Sequence, residues 1–346
     1  MSRWELRGVS AQVGSFEMGP VDLDLAEGEA VAVVGRSGAG KTTLLRAACG
    51  LVPLREGVIL RDGIDRSTTP PERRGTVFVP QGLGLLPHRT VERNVRYPME
   101  LRRTPSASAV VDSLLEEFGL VPFRNRFPGQ LSTGQQQRVA VARSLAADPE
   151  LLLWDEPLSA LDVSSRDELL DTLLAVRTRK RIPIVVVTHD ASVALSLADR
   201  LLLLDAGTVR YSGAVGPLLA APVDRFAARF LGYENVLSRN ALATERTSPF
   251  GRWLWDRSGP GGVCFLAARE PRAEDPSQQV WTGTVRRRDL VPGGARLTLA
   301  VDGLAIKVFA PFSNGRAEVP GPAQPARFVI SERDLKPLGA STDSDS

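Results

Sequence analysis

The chain is poor in the residues that hold metals and bridges: two cysteines, Cys49 and Cys264, and two histidines, His88 and His189, in 346 residues. That scarcity excludes a disulfide framework and a structural zinc site, and both cysteines read as buried small apolar residues. Long hydrophobic runs are missing too. Ala30 to Val34 and Leu201 to Leu204 fall far short of the ~20 residues that span a bilayer, so no transmembrane helix is expected. Glu5 puts an acid where a secretory signal needs its apolar core, and no cleavage pattern follows, which predicts a cytoplasmic protein. A formal charge of +3 is small and basic residues are interleaved with acids, so no nucleic-acid partner is implied.

What remains is an ordinary globular composition, 43% hydrophobic and 24% charged, on a chain long enough for two domains. From Glu29 onward short apolar runs at Ala30 to Val34, Leu151 to Trp154, Ile184 to Thr188 and Leu201 to Leu204 alternate with segments of helical period. This is the pattern of a largely parallel sheet covered by helices. Leu44, Leu45, Ala48 and Leu51 predict a helix after Lys41 that stops near Gly50. Ser108 reads as the N-cap of a second helix carrying Val111, Leu114, Leu115 and Phe118, with Gly119 as its stop. A third starts at Ser132, where Ser-Thr-Gly-Gln has capping-box spacing, and ends at Asp148-Pro149.

Gly35-Arg36-Ser37-Gly38-Ala39-Gly40-Lys41-Thr42 follows one expected strand, opens one expected helix and fits the P-loop pattern. The glycines let successive N–H groups face phosphates, and the helix N-terminus adds partial positive charge. Lys41 is expected to reach the β- and γ-phosphates, and Thr42 to hold Mg²⁺. Downstream, the apolar run Leu151 to Trp154 ends in Asp155-Glu156. Asp155 suits the metal, and Glu156 suits a general base acting on water. His189 stands at the end of the Ile184 to Thr188 strand. His88 reads as solvated or structural.

Over about the first 230 positions the chain resembles the ATP-binding cassette family. The resemblance rests on the P-loop with Thr43, Gln81 after Phe78-Val79-Pro80, Leu131-Ser132-Thr133-Gly134-Gln135 as the signature motif, Asp155-Glu156, Ser159-Ala160-Leu161-Asp162 as the D-loop, and His189 as the switch histidine. It implies an α/β P-loop ATPase with a helical insertion at about 82–131. The implied nucleotide contacts run from Gly35 to Thr43 and include Ser132, Gly134, Gln135 and Asp162. Thr42, Gln81 and Asp155 are implied for Mg²⁺, and Glu156, His189 and Gln81 for hydrolysis. In the family two cassettes dock head to tail, so a second copy, membrane permease subunits and a solute-binding protein are implied partners. The implied location is the inner face of the membrane. Two departures stand out: Thr133 replaces a glycine of the signature, and the aromatic that stacks on adenine is replaced by Val13 or Phe16.

Beyond Gly232, short alternating runs at Val263 to Leu266, Val280 to Val285, Arg296 to Val301, Ile306 to Phe309 and Arg327 to Ile330 predict a small all-β barrel or sandwich. This part resembles the accessory TOBE barrel of importer ATPases, through Phe230-Leu231-Gly232-Tyr233-Glu234-Asn235-Val236 and, loosely, Arg269-Glu270-Pro271. Either a regulatory ligand site or a mere extension of the dimer fits it. Trp253 and Trp255 alternate as on one strand face filling that barrel, and Arg286-Arg287-Arg288 reads as solvated surface. The expected division is a cassette at 1–231, a barrel at 232–338 and a disordered tail at 339–346. The function implied is an ATP-hydrolysing subunit that drives solute import. An exporter motor and a soluble repair or translation ATPase are the alternatives, and a non-catalytic regulator is disfavoured because Glu156 and His189 are both present.

Overall fold

The computed structural model describes residues 3–103, 107–159, 161, 163–260, 262–265, 268–269, 279–291, 294–311, 322–330 and 334–338. Asp162, Leu266, Glu270-Pro271 and the tail 339–346 lie outside the described residues. Two compact units divide between Val215 and Gly216.

In the first unit β1 (Arg3–Val13) and β2 (Phe16–Ala26) form an antiparallel hairpin. It leads into β3 (Ala30–Gly35), α1 (Lys41–Ala48), β4 (Glu56–Arg61), β5 (Ile64–Asp65) and β6 (Thr76–Val79). A helical stretch follows, with α2 (Val91–Arg102), α3 (Ala107–Glu117) and α4 (Thr133–Ala146). Then come β7 (Leu151–Asp155), α5 (Val163–Lys180), β8 (Ile184–Val187), α6 (Ala191–Leu197), β9 (Arg200–Asp205) and β10 (Thr208–Ala214). The strands make a six-stranded sheet ordered β10-β9-β3-β8-β7-β6, parallel except at β10, and a second sheet ordered β2-β1-β4-β5. The four expected strands all lie in the parallel sheet, where β3, β7 and β8 are buried along their whole length. Continuous apolar runs are what a sheet covered on both faces requires.

The antiparallel sheet was not foreseen, although its strands alternate. On β2, Met18, Val21, Leu23 and Leu25 are buried while residues between them face outward. Trp4 is wholly buried and its indole N–H donates to the Glu150 carbonyl at 3.2 Å, which ties this sheet to the start of β7. Two helix boundaries differ from expectation. Leu51 lies beyond α1 and is 57% exposed, because the chain turns at Gly50 with φ of +84°. Ser108 sits inside the first turn of α3 and is not its cap. Ser132 does cap α4: its Oγ accepts from Gln135 N–H at 3.3 Å, and its own N–H donates to Gln135 Oε1 at 3.0 Å.

The second unit contains α7 (from Val215 to Ala220), α8 (Arg225–Phe230), β11 (Asn235–Ser238), α9 (Arg239–Glu245), α10 (Pro249–Asp256) and β12 (Gly262–Phe265). These are followed by β13 (Ala268–Arg269), β14 (Gln279–Val291), β15 (Gly294–Val301), β16 (Leu304–Pro311), β17 (Pro325–Ile330) and β18 (Lys336–Leu338). β13-β16-β15-β14-β17 close into a barrel, and β11-β12-β18 form a small sheet. The expected β-barrel is present, and α9 and α10 add Leu242, Phe250, Trp253 and Leu254 to its core. Trp253 and Trp255 lie on a helix rather than a strand. Ser248 accepts from Gly251 N–H at 3.0 Å and Pro249 occupies the first turn, a start signal that outweighs the local alternation. Phe250 packs edge-on against Phe328 at 5.7 Å, so the aromatic cluster does fill the barrel. Arg286, Arg287 and Arg288 are exposed, and Arg287 pairs with Asp289.

One buried cation fixes the far end of α1. Arg74 is 4% exposed and donates to the carbonyls of Ala47 and Ala48 at 3.1 and 3.2 Å, of Thr69 at 3.1 Å and of Ser67 at 2.7 Å. Helix-end carbonyls have no partner within the helix, and a cation there also suits the dipole. A Cβ on Gly50 would lie 2.7 Å from this guanidinium, so residue 50 must stay small. Arg74→Met removes one of the two donors to the Ala47 carbonyl, which keeps the Gly50 N–H at 3.0 Å, and takes the guanidinium from those of Ala48, Thr69 and Ser67; a loss of about 2–4 kcal/mol is expected, read as a lower urea midpoint.

Candidate active site

The strand register creates the site. Val187 of β8 pairs with Val33 on one side and Asp155 on the other, and Trp154 of β7 pairs with Val79 of β6. The C-terminal ends of β3, β6, β7 and β8 therefore share one sheet edge, and Gln81, Glu156 and His189 lie just past those ends. Ligands of open parallel sheets bind at this edge.

The loop from Gly35 to Gly40 must curl tightly. Gly40 has φ of +99°, and a Cβ there would stand 2.9 Å from Met18 Cγ and 3.1 Å from the Phe16 ring. Any side chain at 40 is both strained and blocked. Lys41, the first residue of α1, reaches back so that Nζ donates to the Gly35 and Arg36 carbonyls at 2.9 Å each. Burial lowers its pKa, while the charges of Glu156 and Asp155 oppose the change.

Thr42 Oγ1 donates to Asp155 Oδ2 at 2.8 Å, and Asp155 is 6% exposed. Glu156 adopts φ of +56°, a conformation uncommon outside glycine, and its N–H donates to the Val187 carbonyl at 3.0 Å. The Ser159 hydroxyl donates to the Glu156 carbonyl at 3.1 Å. This turn leaves the carboxylate 2.8 Å from Nδ1 of His189, with the acid largely buried and the imidazole exposed. Strain of that kind, of order 1–3 kcal/mol, persists where the surroundings hold the residue in place.

These groups line one cavity of about 690 Å³. Its walls carry Gly35, Ser37 to Thr43, Gln81, Asp155, Glu156 and His189, as expected from the sequence. Val13 and Phe16, the open alternatives for the base, both line it because they face each other across the β1–β2 hairpin. Val187 is a further wall residue that sequence reasoning did not single out. The Arg36 side chain is not part of the lining; its carbonyl serves Lys41. Ser132, Gly134 and Gln135 do not line this cavity either.

Thr42, Asp155 and Gln81 offer hydroxyl, carboxylate and amide oxygens, the donor set that suits Mg²⁺. No group of three or more His, Cys, Asp or Glu able to hold a metal exists among the described residues. Among the described residues no helix is long and apolar enough to cross a membrane.

A phosphate cradle at the sheet edge, with paired acids at a neighbouring strand end, defines a P-loop nucleoside triphosphatase. Comparison with known proteins narrows this. Residues 18–159 match the family model described as ABC transporter. The chain is 36% identical over 299 residues to a Fe(3+) ions import ATP-binding protein of Streptomyces avermitilis, covering 86% of this chain and 80% of that protein. It is 42% identical over 220 residues to the sulfate/thiosulfate import ATP-binding protein of Mycobacterium tuberculosis, covering 63% of each. Among solved structures, the dimeric post-hydrolysis state of the ATP-binding cassette MJ0796 bound to ADP and Pi is 30% identical with a TM-score of 0.56, over 61% of this chain and 98% of that one. The chain belongs to the ABC transporter family, as an importer-type ATP-binding subunit.

Asp190 follows His189 and caps α6, accepting from the N–H groups of Ser192 at 2.8 Å and Val193 at 3.4 Å, while its other oxygen pairs with Arg166. Burial would raise its pKa, but the Ser192 and Val193 hydrogen bonds and the Arg166 charge outweigh it, and the net shift is downward. A depressed folded-state pKa stabilises fully above the unfolded value of about 4 and ceases to do so as pH falls through the folded value. The stability difference between wild type and Asp190→Asn is expected to be constant from pH 7 to 5 and to shrink below pH about 4, as measured by thermal unfolding across that range.

Proposed function

We propose that this chain hydrolyses ATP with Glu156 as general base, at sites shared between two copies of itself, and so drives import through membrane permease subunits. The observation that carries the reading is the seating of Glu156 beside His189, Lys41 and the Thr42–Asp155 pair in one cavity.

Loop N–H groups from Gly38 to Thr43 and the Lys41 ammonium bind the β- and γ-phosphates, Lys41 exchanging its loop carbonyls for phosphate oxygens. Thr42, Asp155 and Gln81 would hold Mg²⁺, which would supply positive charge against that of the phosphates. Water attacks the γ-phosphorus, the bond to the bridging oxygen breaks, ADP leaves, and the water proton passes to Glu156. His189 Nδ1 holds that carboxylate in position. Val13 and Phe16 give the base an apolar wall.

Ser132, Gly134 and Gln135 stand at the N-terminus of α4, where backbone N–H groups suit an anion, yet they lie outside the chain's own cavity. A second copy docked head to tail would bring its signature residues to this nucleotide, and the dimeric state of the MJ0796 relative supports a second copy as partner. Asp162 is assigned to the same interface by resemblance. The import relatives support the inner face of the cell membrane as the working location, with a solute-binding protein delivering cargo to the permease. Their named cargoes, Fe(3+) and sulfate or thiosulfate, together with the 2-aminoethylphosphonate named for a relative from Salmonella typhi, support a small charged solute as cargo. The second unit is read as a TOBE-like accessory domain.

Glu156→Gln keeps the shape but cannot accept the proton. Turnover is expected to fall by about 100-fold or more with ATP affinity unchanged within about threefold, measured by phosphate release and by equilibrium binding. Turnover near wild type rejects Glu156 as the base.

A further inference from the structure

Gln81 stands at a junction whose far side is bolted to the helices rather than to the sheet. Pro80 ends the β6 strand, Gln81 lines the nucleotide cavity, and the chain then turns through Leu83 and Gly84, both left-handed with φ of +61° and +59°. A leucine takes that conformation rarely. The next two carbonyls are captured from α4: Arg143 Nη2 donates to the Leu83 carbonyl and Nη1 to the Gly84 carbonyl, each at 2.7 Å. Further along, the wholly buried Asn94 of α2 accepts from Leu86 N–H at 2.8 Å and donates to the carbonyls of Leu86 and Arg89 at 3.1 and 2.9 Å.

We infer that Arg143 is a positioning residue that couples the nucleotide-facing Gln81 to the Ser132 end of α4, through its paired bonds to the Leu83 and Gly84 carbonyls. At 1.5 Å per residue, α4 is a rod that carries a displacement at Arg143 to Ser132 over about 16 Å. A guanidinium fork matters here because two fixed, parallel donors set the angle of the loop as well as its distance, which an ammonium or an apolar stem cannot do. Gly82, with no side chain, is the one residue between Gln81 and the clamped Leu83 carbonyl, so the link from the cavity to the clamp is short. Burial lowers the Arg143 pKa, in keeping with a group withdrawn from water to serve those carbonyls. A nucleotide that draws on Gln81 thereby reorients the helix end offered to the second copy. The inference rests on the shared-site reading above and adds the residue that links the two halves.

The test compares wild type, Arg143→Met and Arg143→Lys, using binding of a fluorescent ATP analogue, steady-state kcat and KM with MgATP, ATP-induced dimerisation by light scattering, and the thermal unfolding midpoint. For Arg143→Met the expected result is affinity within about threefold of wild type, kcat lower by about tenfold or more and no ATP-induced dimer. Arg143→Lys, with its charge kept and the fork lost, is expected to recover only part of kcat. A kcat within twofold of wild type overturns the inference, and so does a parallel fall of affinity, kcat and unfolding midpoint, which marks plain packing. If Arg143→Met does not fold, Arg143→Lys decides by the same comparison. A wild-type chain that binds ATP but neither dimerises nor hydrolyses it overturns the shared-site reading itself, an outcome distinct from a defect confined to the variants.

Discussion

The register of the parallel strands is the constraint on which the rest depends. Because Val187 pairs with Val33 on one flank and Asp155 on the other, the ends of β3, β7 and β8 arrive at the same edge within a residue or two. A slip of one residue would reverse which side chains face each layer and carry Asp155 away from Thr42. The 2.8 Å contact between Thr42 and Asp155 is the visible result of correct register. It joins the first residues of the phosphate helix to the strand that precedes Glu156, the proposed base. Each proposed catalytic group is then placed by a short excursion from a strand end: Lys41 by the glycine turn, Glu156 by one left-handed residue, His189 by the exit from β8.

A second constraint is the separation of the helical layer from that edge. The signature residues cap α4, and their capping box uses Ser132 and Gln135 side chains to satisfy the helix's own first turn. The remaining N–H groups there are oriented for an anion that this chain's cavity does not bring to them. The segment after Gln81 is tied to α2 and α4 by Asn94 and Arg143, so the helical layer has a grip on the nucleotide edge there. Under the proposed shared-site reading, nucleotide acts on such a divided site by association of two copies, and that association is the movement passed to attached subunits.

Much of the site was legible in the sequence because its chemistry depends on local runs of residues. The P-loop, the acid pair after Leu151 to Trp154 and the capping box at Ser132 are contiguous, and buried parallel strands show as unbroken apolar runs. What escaped was longer-range or conflicted locally. The β1–β2 hairpin alternates in period two, but a bulge between Leu6 and Val9 breaks the pattern mid-strand. Trp253 and Trp255 mimic a strand until the Ser248-Pro249 start signal is weighed against them. That Val13 and Phe16 both line the cavity follows from their pairing across a hairpin, which local sequence does not display. Arg143 gave no signal because its partners are backbone carbonyls remote in sequence, and such partners carry no residue code.

The central claim is that hydrolysis belongs to two copies of the chain and not to one. The most direct measurement is ATP turnover per chain, with MgATP saturating, as the protein is diluted over several orders of magnitude. The account predicts turnover per chain that falls steeply below the dimerisation constant, in step with loss of dimer by light scattering. Turnover per chain that stays constant while the protein is demonstrably monomeric would contradict it.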